Sequence, residues 1–450
     1  MLNIIENGRK RVFLETFGCQ MNDSDSERIL GLLSSIDYSR TDAPADADLI
    51  ILNTCSVRDK AEQKVYSTLG RFKALKDENP GLIIAVSGCV AQQQGKALLK
   101  RAPYLDLVFG PHNIHRLKEL IGEVGAGRKA GVVATAQTET IEEDEYGQAQ
   151  RPVDGVKAFV SIMRGCNNFC AYCIVPYTRG REVSRRSADI LEEVKGLAGA
   201  GVAEVTLIGQ NVNSYDGEGI SFAALLEMVA GIDGIKRVRF ITSHPKDISP
   251  ELIGLFAAEP KLCRHIHLPV QSGSNAVLRL MGRVYTREQY IEKVELLQGL
   301  YPDMSLTSDI IVGFPGESEE DFIQTMSLIE RVRFDNLFSF MYSPRPNTRA
   351  ATFGGQVPLE AKSKRLKVLQ EAQKAISARR NADLVGKTIE VLVEGPSRAD
   401  QYELTGRTPC NRAVNFPAPP GTGLIAGSLV NLSITRALSN SLRGEFKERS

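Results

Sequence analysis

The sequence has no long apolar run, almost no net charge and no tryptophan. A membrane-spanning helix needs roughly eighteen or more consecutive apolar residues, and none occurs here, so we expect no membrane span. Residues 1–9 lack the apolar core of a signal peptide, so we expect a cytoplasmic chain. The net charge of +1 argues neither for nor against a nucleic-acid partner, since a local basic patch would be needed. The missing tryptophan carries no functional information.

The chain combines an ordinary globular composition with several grouped cysteines. Its 450 residues suffice for two or three domains, and its 42% hydrophobic and 24% charged residues are typical of globular proteins. A cytosolic chain with eight cysteines is expected to use them for metal binding rather than for disulfides.

Three cysteines stand in a C-x3-C-x2-C arrangement. Cys166, Cys170 and Cys173 are close enough along the chain to bind one metal centre, and the nearest downstream histidine is His244. Structural zinc sites and ferredoxin clusters usually have four protein ligands. The simplest interpretation is a [4Fe–4S] cluster held by three thiolates, with one iron open to an exogenous ligand. A zinc site completed by a remote ligand remains the alternative.

Three further cysteines each follow a predicted buried strand near the start of the chain. The apolar runs are Val12–Leu14, Leu49–Leu52 and Leu82–Val86. Helical segments between them predict an α/β domain with a doubly wound parallel sheet, whose strands end at one ligand-binding edge. The cysteines that follow are Cys19, Cys55 and Cys89. We expect them to hold a second three-thiolate cluster at that edge, although a lone cysteine is usually a small buried side chain.

The region from Val156 to about Arg380 alternates between strands and helices again. Strands are predicted at residues 158–163, 204–208, 237–241, 265–268, 306–312 and 336–340. Six strand–helix units favour an open barrel, a partial (β/α)6 barrel, in which active-site groups lie in the loops after the strands. Those loops are polar and rich in glycine here, so we expect one ligand pocket at that end.

From Gly386 the pattern changes to short strands separated by Gly and Pro turns, which predicts a small all-β barrel. The isolated Cys263 and Cys410 are interpreted as structural. The acidic stretch at residues 142–145 has no apolar period and predicts a solvated linker.

Two groups of basic residues are candidates for contact with a substrate. Arg179, Arg181, Arg185 and Arg186 follow the C-x3-C-x2-C loop, where phosphate groups would need such side chains. The segment Ala361–Ala378 predicts a basic helix whose charged face is either solvated or turned toward RNA.

The cysteine loop, with Tyr172 before its last cysteine, resembles the signature of the radical S-adenosylmethionine (SAM) enzymes. The resemblance implies that the open iron binds the amino and carboxylate groups of SAM, and that SAM is cleaved to a 5′-deoxyadenosyl radical. No catalytic residue beyond the cluster ligands is implied. The implied SAM contacts are Gln210 and Asn211 at the amino group, Gln271 and Ser272 at the carboxylate or ribose, and Ile311 to Gly313 at the adenine.

Four motifs extend the resemblance to the methylthiotransferase family, and within it to the bacterial tRNA branch of the MiaB type. The motifs are Gly18-Cys-Gln-Met-Asn22, Asn53-Thr-Cys-Ser-Val-Arg58, Cys170-Ala-Tyr-Cys-Ile-Val-Pro-Tyr-Thr-Arg-Gly180 and Phe340-Met-Tyr-Ser-Pro-Arg-Pro346. The implied domains are a methylthiotransferase N-terminal domain at 10–130, a linker at 131–153, a radical SAM core at 154–382 and a TRAM-like RNA-binding barrel at 383–448.

This resemblance also implies a reaction, its cofactors and its partners. Two [4Fe–4S] clusters would act with SAM, which serves both as methyl donor and as radical source. The product would be the 2-methylthio derivative of N6-isopentenyladenosine at position 37 of tRNA, next to the anticodon. The implied partners are the tRNA anticodon stem-loop, an electron donor such as flavodoxin or ferredoxin, and a sulfur source, and a monomer is the default state.

Three alternatives stay open on the sequence alone. The chain could act on N6-threonylcarbamoyladenosine, as the nearest tRNA branch does. It could be a radical SAM enzyme with another product, in which the auxiliary cluster only transfers electrons. It could also be an RNA-binding protein with structural zinc, which would be colourless and free of iron.

Iron content tests the second cluster directly. Anaerobically reconstituted wild type is expected to hold about eight irons per chain, and the Cys19→Ala/Cys55→Ala/Cys89→Ala variant about four, because each four-iron cluster is lost as a unit. Iron and labile sulfide assays measure this. About four irons in both proteins would contradict the second cluster.

Overall fold

The computed structural model describes residues 9–56, 59–126, 131–138, 140–141, 155–397, 400, 402–417 and 423–446. The chain divides into two compact units. The first consists of Met1–Pro152, Met163–Asn168 and Cys173–Ser184, and the second of Val153–Ile162, Phe169–Tyr172 and Arg185–Ser450. Within the described ranges, every helix is too short or too polar to cross a membrane.

The N-terminal part of the first unit is one parallel sheet with helices between its strands. Its elements are β1 (Lys10–Thr16), α1 (Gln20–Ser34), β2 (Tyr38–Arg40), β3 (Leu49–Thr54), α2 (Asp59–Glu78), β4 (Ile83–Ser87), α3 (Gly88–Gln94), α4 (Lys96–Arg101), β5 (Leu107–Phe109), α5 (Leu117–Gly125) and β6 (Val132–Ala134). The strand order is β2-β1-β3-β4-β5-β6, and every pairing is parallel.

Two apolar cores cover the two faces of this sheet. The central strand β3 is buried at every residue: Ile50 and Leu52 pack into one core, and Leu49 and Ile51 pack into the other. A strand that is buried on both faces is mainly apolar, and the apolar run at 49–52 therefore predicts this strand. The doubly wound sheet expected from the sequence is confirmed.

The sheet has three strands that the sequence did not predict, β2, β5 and β6. Each has only three residues, too few to show a strand period. The predicted start of the linker at residue 131 is therefore wrong, because Val132–Ala134 pairs in parallel with β5. The rest of the predicted acidic linker, 142–153, lies outside the described residues.

The middle of the chain contains six strands paired in parallel, two short antiparallel strand pairs and the connecting helices. Its elements are β7 (Lys157–Ser161), β8 (Met163–Arg164), α6 (Val175–Thr178), β9 (Val183–Ser184), α7 (Ser187–Gly199), β10 (Glu204–Ile208), β11 (Asp216–Gly217), β12 (Ile220–Ser221), α8 (Phe222–Ala230), β13 (Arg237–Phe240), α9 (Pro250–Ala258), β14 (His265–His267), α10 (Asn275–Leu280), α11 (Arg287–Leu300), β15 (Ser305–Val312), α12 (Glu319–Val332), β16 (Asn336–Met341) and α13 (Leu359–Ala382). The short antiparallel pair β8–β9 and helix α6 belong to the first unit.

Six parallel strands of the second unit form a partial barrel, as predicted. They pair as β7-β10-β13 and as β14-β15-β16, all in parallel. A parallel bridge between Val238 and Leu262, just before β14, links the two groups. Capping boxes begin two of the outer helices, at Thr286 for α11 and at Ser318 for α12, since each hydroxyl accepts a hydrogen bond from an otherwise unpaired backbone N–H.

Helix α13 corrects one interpretation of the sequence. Two of its basic side chains, Lys362 and Arg365, are buried rather than exposed to solvent or RNA. The Nζ atom of Lys362 donates to the carbonyl oxygen of Tyr342 at 3.0 Å, and Arg365 donates to the Glu317 carboxylate at 2.7 Å. A buried charge needs such partners, so these two residues hold α13 on the barrel.

A closed five-stranded barrel ends the chain, as predicted. Its strands are β17 (Thr388–Pro396), β18 (Glu403–Arg407), β19 (Ala413–Pro417), β20 (Leu429–Ala437) and β21 (Ser441–Phe446). They pair in the order β17-β18-β19-β21-β20 around a core of valine, leucine, isoleucine and phenylalanine. Strand β21 was not predicted from the sequence, because the alternation of small, polar and apolar residues in this strand is weak.

Buried charges join this small barrel to the partial barrel. Arg237 donates to the carbonyl oxygen of Arg407 at 2.6 Å, and Arg239 donates to that of Thr408 at 2.8 Å. Asp335, just before β16, accepts from Arg380 at 2.7 Å and also from Arg412. The carboxylate of Asp335 therefore serves the last helix of one domain and a turn of the next.

Replacing Asp335 should destabilise the second unit. Asp335→Ala leaves Arg380 and Arg412 without their shared carboxylate, and removing one partner of a buried ion pair costs about 3 kcal/mol. Denaturant titration measures the free energy of unfolding. The matched control is Asp303→Ala, which breaks an exposed pair with Arg264 and should cost less than about 1 kcal/mol. Equal losses in the two variants would contradict the role given to Asp335.

Candidate metal and cofactor sites

Three cysteines of the first unit lie at the carboxyl ends of three adjacent parallel strands. Cys19 precedes α1 as its N-cap residue, Cys55 directly follows β3, and Cys89 is the second residue of α3, after β4. The strands β1, β3 and β4 are consecutive in the sheet, so the ends of each adjacent pair lie about 4.8 Å apart. The expectation that these residues share one edge of the sheet is met.

The thiol groups at this edge interact with one another. The pKa of Cys19 is lowered to about 6, principally by a hydrogen bond with the Cys55 side chain, while burial opposes this and the charge of Arg179 assists it. Burial raises the pKa of the Cys89 thiol, and a hydrogen bond with Arg179 works against that rise. A thiolate is the form that binds metal, so the Arg179 charge favours metal binding here.

Arg179 is therefore a neighbour of the cysteines rather than a free cation. Its guanidinium is buried and donates to the Asp25 carboxylate at 2.7 Å and to Asn22 Oδ1 at 2.9 Å. Arg185 is also buried, paired with Glu193 at 2.7 Å. Buried, paired guanidinium groups are not available to a phosphate, which corrects the sequence-based interpretation of these two residues.

The other two predicted substrate contacts lie on the surface. Arg181 and Arg186 are exposed, and Arg186 forms a surface pair with Asp189 at 2.8 Å. Such pairs contribute little to stability, so a phosphate can replace the carboxylate at small cost.

The first cysteine of the C-x3-C-x2-C loop already has hydrogen-bond donors. Both the backbone N–H and the side-chain amide of Asn168 point at the Cys166 sulfur, at 3.5 and 3.4 Å. The backbone N–H of Cys166 donates to the carbonyl oxygen of Gly180 at 3.2 Å. These contacts, all within the first unit, fix the start of the loop and favour a thiolate at Cys166.

The second cysteine has a buried arginine beside it, which the sequence analysis did not identify. In the second unit, Arg283 donates to the Cys170 sulfur at 3.5 Å, to the Tyr285 hydroxyl at 2.8 Å and to the carbonyl oxygen of Pro269. The two residues are 113 positions apart, so no local pattern could have paired them. Backbone bonds from Ala171 to Met281 and from Ala350 to Ala171, both 2.8 Å, hold the adjacent turn.

Two predicted SAM contacts at the end of β10 have unused acceptors. The side-chain oxygens of Gln210 and Asn211 are buried and have no hydrogen-bond partner among the described residues. The amide nitrogen of Asn211 donates to Asp247 at 2.8 Å, which orients the group. A buried carbonyl oxygen without a donor is costly, so this loop suits a ligand that carries N–H groups, such as an ammonium.

The other predicted SAM contacts meet at the ends of β14 and β15. The backbone N–H of Ile311 donates to the carbonyl oxygen of Gln271 at 2.9 Å, and Ser272 Oγ lies 3.4 Å from Thr325 Oγ1. The backbone N–H of Gly313 donates to Glu317 at 2.9 Å. A Cβ on Gly313 would lie 2.3 Å from Lys362 Cγ, so its close neighbour in the protein is that lysine stem.

All eight cysteines are free thiols, so none is used in a disulfide. In the described part of the chain, no three His, Cys, Asp or Glu side chains already have an arrangement that could hold a metal ion. The donor chemistry nevertheless fits iron–sulfur clusters, which are held by thiolates. The N-terminal edge provides three cysteines, and nearby Ser56 and Ser87 have buried hydroxyls without partners among the described residues.

Three family models match successive parts of the chain. Residues 11–110 match "Uncharacterized protein family UPF0004", residues 160–329 match the radical SAM superfamily, and residues 383–447 match the TRAM domain. A solved radical SAM methyltransferase, TsrM from Kitasatospora setae, shares the fold with a TM-score of 0.57 at 15% identity over 76% of this chain and 77% of that one. The radical SAM enzyme OxsB gives a TM-score of 0.51 at 15% identity over 81% and 56%.

Curated relatives match over nearly the full length. A protein of Geotalea uraniireducens is 54% identical over 97% of this chain and 99% of its own, and one of Moorella thermoacetica is 50% identical over 97% and 98%. Both are named tRNA-2-methylthio-N(6)-dimethylallyladenosine synthase, which favours that branch over the threonylcarbamoyl alternative. The chain thus belongs to the tRNA-2-methylthio-N(6)-dimethylallyladenosine synthase family, radical SAM transferases of a sulfur-containing group that use [4Fe–4S] clusters and SAM.

Proposed function

We propose that this chain replaces the hydrogen on carbon 2 of N6-dimethylallyladenosine, at position 37 of tRNA, with a methylthio group. Cys166, Cys170 and Cys173 would hold the cluster that binds SAM. When bound, the two clusters and SAM supply the electron, the 5′-deoxyadenosyl radical that removes the hydrogen, the sulfur atom and the methyl group.

One observation carries this proposal: Cys19, Cys55 and Cys89 end three adjacent parallel strands. A radical SAM enzyme needs only the loop cysteines to cleave SAM. A second set of three thiols at one sheet edge supports an auxiliary cluster, which is where sulfur for the product would be held. The guanidinium of Arg179, which is held by Asp25, brings a positive charge close to these thiols and so favours their anionic form.

The backbone at this edge approaches its neighbours so closely that two positions require glycine. Gly18 has a φ of +133°, and a Cβ there would lie 2.3 Å from Cys55 Cβ. The same holds for Gly88, whose φ is +89° and whose Cβ would lie 2.2 Å from the carbonyl oxygen of Thr54. Both glycines precede a cysteine, so each lets its cysteine approach the shared edge.

The SAM residues stay as proposed from the sequence. Gln210 and Asn211 would accept hydrogen bonds from the SAM amino group through their side-chain oxygens, which have no partner among the described residues. Gln271 and Ser272 would lie near the carboxylate or ribose, and Ile311 to Gly313 near the adenine. Arg283 would orient the Cys170 side chain through its hydrogen bond to the sulfur.

The proposed function also requires contacts with the RNA and external sources of electrons and sulfur. The TRAM barrel and the exposed Arg181 and Arg186 would contact the phosphates of the anticodon stem-loop. Proposed partners are a flavodoxin- or ferredoxin-type electron donor and a sulfur source, with the enzyme acting as a cytoplasmic monomer. The proposed domains are 10–130, extended to Ala134 by strand β6, for the auxiliary cluster, 154–382 for the radical SAM core and 383–448 for the RNA-binding barrel.

Methylthiolation should separate from SAM cleavage. The reconstituted Cys19→Ala/Cys55→Ala/Cys89→Ala variant is expected to keep reductive cleavage of SAM to 5′-deoxyadenosine and to lose the methylthio product. A Cys166→Ala variant should lose both, because it lacks a ligand of the SAM cluster. Mass spectrometry of nucleosides from treated tRNA measures the product. A triple variant that still methylthiolates would overturn the proposal.

A single methyl group at Gly18 should remove the auxiliary cluster. Gly18→Ala places a Cβ against Cys55 at a backbone angle that disfavours alanine, so the iron content should fall from about eight to about four per chain. Gly122→Ala is the matched control, because Gly122 lies in helix α5, where the added Cβ would have no described atom within 4 Å other than those of its chain neighbours and its own helix backbone. Full iron content in Gly18→Ala would contradict the proposed position of the cluster.

A further inference from the structure

One face of strands β14, β15 and β16 carries exposed aromatic side chains that none of the assignments above uses. Directly paired residues of parallel strands share a face, and His267 pairs with Thr307, Asp309 with Phe338, and Ile311 with Phe340. We call the surface formed by these six side chains the aromatic face, after His267, Phe338 and Phe340. The rings of His267 and Phe338 meet edge to face at 5.8 Å, which confirms that they lie on one side.

The opposite side of β16 packs on helix α13. Gln370 on the helix donates to Ser339 Oγ at 3.4 Å, and Ser363 donates to Met341 Sδ at 3.6 Å. Successive side chains of a strand alternate between faces, so Phe338 and Phe340 point away from the helix. Phe338 is 44% exposed and Phe340 38% exposed. Two large apolar rings in register on a barrel strand, both left partly open, indicate a surface that binds something apolar.

The aromatic face is continuous with the proposed SAM loops. Phe340 pairs with Ile311, and the backbone N–H of Ile311 donates a hydrogen bond to Gln271. Ile311 and Gln271 are both proposed SAM contacts. Ligands of barrel enzymes bind at the carboxyl ends of the strands. Whatever contacts Phe340 therefore lies next to SAM, where the substrate atom that loses its hydrogen must be.

We propose that Phe338 and Phe340 bind the target adenine together with its dimethylallyl group, and so select the prenylated base. The inference rests on the proposed function and names the residues that read its substrate. Enzymes that modify a base take it out of its stack and hold it against aromatic and apolar side chains. A flat base with a branched five-carbon substituent matches two rings on alternate positions of a strand, about 6.6 Å apart.

Asp309 adds selection against the other modified base. Its side chain lies on the same face, beside its partner Phe338, and 3.5 Å from the His267 ring. His267 is held in turn by Thr307 at 2.9 Å. A threonylcarbamoyl group carries a carboxylate, which would meet both the carboxylate of Asp309 and an apolar surface. A dimethylallyl group carries no charge and meets neither obstacle.

The test compares RNAs that differ only at the target base. Anticodon stem-loops carrying N6-dimethylallyladenosine or plain adenosine are titrated by fluorescence anisotropy into the reconstituted enzyme in the presence of SAM. Wild type should prefer the prenylated RNA. Phe338→Ala and Phe340→Ala should each weaken binding of that RNA by about tenfold, as expected for loss of one aromatic contact to a base, and should lower the preference for it. Phe338→Leu, which keeps an apolar side chain, should retain most of the preference.

Controls separate this inference from folding and from the proposed function. Ile323→Ala removes an exposed apolar side chain from α12 and should leave both affinities unchanged. Iron content should match wild type in every variant used, which shows that the clusters are still bound. Unchanged preference in both alanine variants, or an equal loss for the two RNAs, would overturn the inference. A wild type that makes no methylthio product from the prenylated RNA would instead refute the proposed function.

Discussion

The buried ion pair between Arg179 and Asp25 is the interaction on which the N-terminal edge depends. A guanidinium taken out of water needs a partner, and Asp25 on the first helix provides one at 2.7 Å. The positive charge of Arg179 also acts to lower the pKa values of Cys19 and Cys89. One cation therefore interacts with the first helix and with two thiols. Without Asp25, Arg179 would be an unpaired buried charge. It would then destabilise the fold instead of favouring thiolates.

The second unit solves a similar problem with different residues. Arg283 is buried beside Cys170 and is bound by Tyr285 and by the carbonyl oxygen of Pro269. Arg237 and Arg239 are buried as well, and they bind backbone carbonyls of the C-terminal barrel. Hydrogen bonds are directional, so these two arginines help to fix the position of the C-terminal barrel on the partial barrel.

Much of the fold could be predicted because its strands are short, apolar and regularly spaced. The run at 49–52 is buried on both faces of a sheet, and a short continuous apolar run is typical of a central parallel strand. The strands β2, β5 and β6 could not be predicted, because three residues are too few to show a strand period. Arg179 and Arg185 were misinterpreted because a run of arginines after a cysteine loop suggests a surface for phosphate, while burial and ion pairing depend on residues far away in sequence.

The sequence by itself determined the two sets of three cysteines, the order of the three domains and the alternation that places ligands at strand ends. These follow from local spacing, since a C-x3-C-x2-C loop and a strand-end cysteine need no distant residue to be recognised. Only the tertiary structure decided that Arg179 faces thiols, that Arg283 reaches Cys170 across 113 positions, and that Phe338 and Phe340 remain open while Lys362 is covered. Those outcomes depend on which elements pack together, because burial and pairing are properties of contacts that the chain makes only after it has folded.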